Sequence, residues 1–230
     1  MKPLLPSFKV PLPFNKDHYE RLAWAQNKGI CGVDEVGRGC LAGPVVTAAV
    51  LLPPGIQTEL FKDSKILSPA QREHAFSYIS KNAVYSYAIM SNQEIDRYNI
   101  WQATLKCMRR AIIQLFNCHS RLPEHIVVDA MPVSLVGSVY QSIPLYYFIK
   151  GEQHSSAIAA ASIIAKVIRD RMMVRMEHTL PGYKFGQHKG YSTQVHKASL
   201  DLFGHSFIHR ISFIDHLPQF QNISSLQIAD

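Results

Sequence analysis

The sequence predicts an α/β fold built on a mixed sheet, and three observations carry that prediction. Short apolar runs alternate with longer amphipathic stretches along the chain. Two of those runs, Ile30–Val33 and His125–Val128, lead directly into acids, Asp34-Glu35 and Asp129. Finally, the segment from Ser155 to about Met176 reads as one long helix whose first half, SSAIAAASIIA, is rich in small residues. Small side chains let a helix approach a sheet closely, so this helix is expected deep in the fold.

The elements follow in order. Residues 1–28 form a leader broken by Pro3, Pro6, Pro11 and Pro13, with a short helical stretch from Tyr19 to Gln26. The first strand, Ile30–Val33, ends in the acid pair, and Gly37-Arg38-Gly39 makes a flexible turn. Val45–Leu52 is a second strand, closed by Pro53-Pro54-Gly55. Ser68-Pro69 has the form of an N-cap followed by proline at the first helical position, opening a helix to about Ser80. Val84–Met90 is a third strand. Glu94-Ile95-Asp96 reads as a short polar segment before a helix from about Trp101 to Phe116. In that helix Trp101, Leu105, Met108, Ile112 and Leu115 form a core-facing stripe. A fourth strand ends at Asp129, and a fifth, Ile143–Ile149, precedes Gly151-Glu152. The predicted sheet therefore has five strands, with helices flanking it and a helical C-terminal part. The expected organisation is a leader (1–28), one main domain (29–214) and a tail (215–230).

Composition narrows the function. Of 230 residues, 47% are apolar and 18% charged, which is globular composition. No run of 18 apolar residues exists, so no membrane association is expected. The prolines deny the N-terminus a signal-peptide core. Cys31, Cys40, Cys107 and Cys118 show no CxxC pairing and fall in segments that read as core, as expected for reduced thiols in a cytoplasmic protein. Lys and Arg exceed Asp and Glu by 24 to 17, a net +7 that favours a polyanionic partner such as nucleic acid.

Parallel neighbouring strands would bring Asp34 and Asp129 together at one sheet edge, with Glu152 close by. Carboxylates converging there need positive charge to relieve their repulsion, and an oxygen-only ligand set suits Mg2+ or Mn2+. Two such ions about 4 Å apart would clamp the attacking and leaving oxygens of a phosphodiester. The competing reading is that the acids cap turns and lie apart. Gly37-Arg38-Gly39 is a substrate-loop candidate by its place beside the acids, and otherwise an ordinary turn. His188-Lys189-Gly190-Tyr191 offers a cation and an aromatic face to a nucleic acid, or is simply a basic surface loop. Lys65, in Asp63-Ser64-Lys65, is a further cation near the site or part of a solvated loop. His205, His209 and His216 read as structural or phosphate-facing.

The ordered set of motifs resembles ribonuclease HII. It comprises GVDEVGRGCLAGP from Gly32 to Pro44, Asp63–Lys65, Glu94–Asp96, Asn99-Ile100, Ala103-Thr104, Val128-Asp129, Lys150-Gly151, AAASIIAKVIRD from Ala159 to Asp170, His188–Tyr191 and His209–Phe213. The resemblance covers residues from about 29 to 214. It implies an RNase H-like fold and endonucleolytic cutting of RNA in RNA–DNA hybrids. It also implies incision at ribonucleotides embedded in duplex DNA, leaving 3′-hydroxyl and 5′-phosphate ends. The family's metal-binding acids fall on Asp34, Glu35, Asp129 and Glu152. The loop that reads a ribose 2′-hydroxyl falls on Gly37, Arg38 and Gly39, and the sugar-packing tyrosine on Tyr191. Lys65 and Lys189 complete the expected substrate contacts, and the expected protein is a monomer. Two positions depart from the pattern. Cys40 stands at a usual proline, and Glu152 at a usual aspartate. Glutamate there is the habit of ribonuclease HIII, whose extra N-terminal domain is larger than a 28-residue leader. A ribonuclease HIII-like nuclease and a nucleic-acid-binding module weakened at Glu152 are the alternatives.

Overall fold

A computed structural model describes residues 8–10, 15–61, 64, 66–215, 217 and 220. Among these the strands are β1 (Phe8–Lys9), β2 (Ile30–Val36), β3 (Val45–Leu52), β4 (Val84–Met90), β5 (Ile126–Asp129) and β6 (Leu145–Phe148). They form one mixed sheet in the order β1-β6-β5-β2-β3-β4. The sheet has six strands rather than the five expected. The addition, β1, lies in the proline-broken leader and pairs in parallel with Tyr146-Tyr147. A two-residue strand between prolines has no periodicity to read, and a sheet edge is where such a segment is tolerated.

The register gathers the acids. Strand β5 runs parallel to β2 with Val33 opposite Val128, so Asp34 and Asp129, one residue further on, stand side by side on neighbouring strands. Strand β6 pairs Phe148 with Asp129, and the chain turns back three residues later. Lys150 takes a left-handed conformation (φ 59°) and opens the short helix α4 (Gly151–His154).

Helices pack on both faces. On one face lies α3 (Asn92–Asn117), whose Met108, Ile112 and Leu115 are buried against β2, β3 and β5 as the stripe predicts. Glu94–Asp96, expected as a segment before that helix, is its first turn. Ser91 and Glu94 cap each other reciprocally, and the helix then kinks at Asn99 (φ 61°). Trp101, placed in the stripe by its spacing, is instead 43% exposed beyond the kink.

The other face carries α5 (Ser156–Thr179), whose first ten residues are all buried. A Cβ placed on Gly32 would lie 2.0 Å from the Ala157 carbonyl carbon, so glycine on the strand and alanine on the helix permit this contact together. Ahead of the sheet, α1 (His18–Trp24) docks at the start of α5. Asp17 accepts the Ser156 N–H at 2.7 Å and Glu20 accepts the Ala157 N–H at 3.0 Å, which caps the long helix from a distant part of the chain. Helix α2 (Pro69–Asn82) begins on a full Ser68–Gln71 capping box. The chain then forms α6 (Phe185–His188), α7 (Gln194–Phe203) and α8 (Ile211–Ile214) around a third apolar cluster. Three cysteines are buried as expected, but Cys118, at the end of α3, is exposed.

Candidate metal and nucleic-acid site

Asp34, Asp129 and Glu152 converge at the carboxyl ends of β2 and β5 and the start of α4. Each offers an oxygen within 4.8 Å of the others. Asp34 and Glu152 are buried. Burial pushes the Asp34 carboxyl well above the usual range, and the neighbouring charges of Glu35, Asp129 and Glu152 push it further. The Gly151 N–H donates to Asp129 at 2.6 Å, which ties the Glu152 turn to the end of β5.

Glu35 lines the same cleft but stands outside the tight group of three. Its carboxylate faces Arg38 at 3.3 Å. Burial raises its pKa to about 7, even though Arg38 pulls it down. The second Glu35 oxygen is buried without a hydrogen-bond partner. Mutually repelling buried carboxylates and an orphaned oxygen form a donor set deficient in positive charge, which a hard divalent cation fits.

The acids open into a cleft of about 530 Å³, whose wall includes Gly37, Arg38, Arg72, Lys166 and Tyr191. A larger cavity of about 670 Å³ lies at the opposite end of β2 near Gly29, and no carboxylate lines it.

Arg72 and Lys166 were not singled out from sequence. Arg72 donates to the Ser64 carbonyl at 3.0 Å, and Lys166 pairs with Asp170 at 2.8 Å. Asp170 thus pairs with Lys166, and at 3.8 Å with Arg72. Lys189 does not line the cleft; its ammonium donates to the Gly186 carbonyl in its own loop. Gly39 is exposed on the loop tip, and Lys65 lies outside the described residues. Tyr191 is 37% exposed, with Lys166 5.5 Å from its ring centroid. Trp101 lies under Arg38, at 5.8 Å.

Two fully buried arginines hold the Gly37–Pro44 loop from beneath. Arg169 donates to the carbonyls of Pro44, Ala42 and Lys189 at 2.8–3.1 Å. Arg210 donates to those of Gly43, Arg38 and Gly37 at 2.7–2.9 Å. Gly37 has φ 96°, and a Cβ there would lie 2.2 Å from Arg169 Nε, so glycine is required on both counts. Five loop carbonyls are thereby turned inward. Its position within the AAASIIAKVIRD motif is the signal the sequence offers for Arg169.

Comparison with known proteins agrees with this architecture. The ribonuclease HII family profile matches residues 31–216. The ribonuclease HII of Alkaliphilus metalliredigens is 42% identical over 204 residues, 87% of this chain and 97% of that protein. That of Listeria monocytogenes is 46% identical over 187 residues, 81% of this chain and 68% of that protein. Among solved structures, the RNase HII in the PCNA complex from Archaeoglobus fulgidus superposes with a TM-score of 0.63 at 26% identity, covering 79% of this chain and 93% of that one. By profile, by relatives over most of its length, and by fold, the chain belongs to the ribonuclease HII family.

Proposed function

We propose that this chain hydrolyses phosphodiesters of RNA paired with DNA, using Asp34, Glu35, Asp129 and Glu152 to hold divalent metal. The observation that carries the reading is the convergence of three carboxylates within 4.8 Å at the floor of a cleft. When bound, Mg2+ or Mn2+ supplies the positive charge that activates water and neutralises charge developing on phosphate oxygens. The protein's own residues do the rest. Asp34 and Asp129 present oxygens from adjacent parallel strands, and Glu152 closes the set from α4. Arg72 and Lys166 offer positive charge to the backbone of the substrate along one wall. The loop at Gly37–Gly39 reads the 2′-hydroxyl, and Tyr191 packs against the neighbouring sugar. These roles extend to single ribonucleotides embedded in duplex DNA, with 3′-hydroxyl and 5′-phosphate products.

The test is cleavage of a DNA duplex carrying one ribonucleotide, with Mg2+ or Mn2+, by the protein and by Glu152→Asp. Incision on the 5′ side of the ribonucleotide that requires a divalent cation is expected. Glu152→Asp should retain the reaction with a rate altered by about tenfold, because one methylene moves the carboxylate by roughly an ångström. Equal cleavage in the presence of a chelator would overturn the assignment.

A further inference from the structure

Three buried histidines, His188, His196 and His209, sit behind Tyr191 and have no part in the reaction as described. Their proton positions follow from partners whose hydrogen-bonding roles are fixed. The Ser206 backbone N–H donates to His209 Nδ1 at 2.8 Å, so the ring proton of neutral His209 is on Nε2. On the far side, His196 Nδ1 lies 2.9 Å from the Tyr191 carbonyl, which can only accept. His196 therefore carries its proton on Nδ1 and presents a lone pair at Nε2. The two Nε2 atoms are 3.0 Å apart, and the only consistent assignment has His209 donating to His196. The relay runs one way, from Ser206 through His209 and His196 to the Tyr191 carbonyl.

His188 completes the frame. It stacks on His196 with ring centroids 4.3 Å apart, accepts the Gly190 N–H at 3.2 Å and donates to the Tyr183 carbonyl at 2.8 Å. Histidines thus hold both the N–H of Gly190 and the carbonyl of Tyr191. Thr193 gives that carbonyl a second donor at 2.8 Å. The segment also pairs with the substrate loop, through Leu41 N–H to the Gly190 carbonyl and a Cys40–Tyr191 bridge. Burial favours the neutral rings that the relay needs.

We infer that His196 is a positioning residue for Tyr191, holding its backbone through the His209–His196 relay so that its ring meets the sugar of the bound duplex at a fixed height. This rests on the proposed contact of Tyr191 with substrate. A purely space-filling histidine would need neither the one-way proton order nor a terminus on the residue that lines the cleft.

The test compares His196→Leu, which fills the volume without a donor, with His196→Asn, whose side-chain amide nitrogen takes the place of Nδ1. Both variants disturb the buried histidine cluster, so thermal stability does not discriminate between the two roles. With a ribonucleotide-containing duplex, His196→Leu should raise KM about tenfold with kcat changed less than about twofold, and His196→Asn should recover most of that loss. Equal KM values in both variants, whether raised or unchanged, would overturn the inference. Ring-nitrogen NMR of the unmutated protein provides a second check that needs no folded variant. The Nδ1-protonated form of His196 is expected, and the Nε2-protonated form would overturn the relay. Tyr191→Ala separates this inference from its premise: an unchanged KM there refutes the Tyr191 contact, whereas a raised KM alongside an unaffected His196→Leu refutes the relay alone.

Discussion

Arg210 gives each of its donor groups to a different backbone carbonyl of the Gly37–Gly43 segment. Burial lowers its pKa to about 10, so it stays charged at neutral pH and the loop carbonyls supply its solvation. A lysine cannot span three acceptors from one nitrogen in that fork geometry. Arg210→Lys should therefore cost about 2–4 kcal/mol in denaturant unfolding. An unchanged unfolding midpoint would show that the loop does not depend on the guanidinium. The acids were legible in the sequence because a carboxylate at the end of an apolar strand must find a cation or water to offset its desolvation. Arg169 and Arg210 were not, because an arginine satisfied by backbone carbonyls leaves no partner in the sequence to mark it. Lys189 donates within its own loop. Its type suits a phosphate, but a left-handed backbone (φ 54°) turns it toward its own helix.

The contact between β2 and α5 sets the position of the acids relative to the rest of the cleft. Gly32 lies two residues before Asp34, and Ala157 lies five residues after Glu152. Gly32→Ala would place a methyl carbon 2.0–2.5 Å from the Ala157–Ile158 backbone, forcing strand and helix apart. About 1–3 kcal/mol of stability should be lost, together with part of the cleavage rate, since Glu152 enters through the same junction. Calorimetry alongside a rate assay checks both, and a variant with full rate and lowered stability would detach this packing from the site. Strands β2 to β6 and the small-residue helix were legible because periodicity and composition encode them directly, whereas the two-residue β1 carries no such pattern. The kink at Asn99 and the docking of α1 on α5 were not. The docking depends on contacts between residues far apart in sequence, such as Glu20 with Ala157. At the kink, by contrast, Asn99 accepts the Gln102 N–H at 3.0 Å, a local cap inside a stretch with helical periodicity.

Across the whole molecule, the net +7 conceals a partition between carboxylates grouped at the sheet edge and cations distributed around them. The resemblance in motif order already implied the fold and the reaction, and the parallel register of β2 and β5 supplies the physical reason the acids meet. The histidine cluster makes its own global prediction. Burial lowers the pKa of His196 to about 4 and of His209 to about 3, while an unfolded histidine titrates near 6.5. Below that value the unfolded chain binds more protons than the folded one, so stability must fall as the pH falls. This contribution is fully present above about pH 6.5 and is lost progressively towards pH 4 and 3. Each histidine adds at most about 1.4 kcal/mol per pH unit to the slope. Between pH 7 and 5 the histidine contribution falls while the raised carboxyls of Asp34 and Glu35 act with the opposite sign, so the check is the difference between variants. Unfolding midpoints should fall less, or rise more, in His209→Gln than in the unaltered chain, and identical slopes would contradict the buried neutral assignment.

The most direct test of the central claim is cleavage and binding of an RNA–DNA hybrid by Asp34→Asn and Asp129→Asn, measured with Mn2+ and without it. Divalent-dependent cutting by the unaltered chain is expected, with hybrid binding retained and cutting lost in both variants. Full cutting by either variant would contradict it.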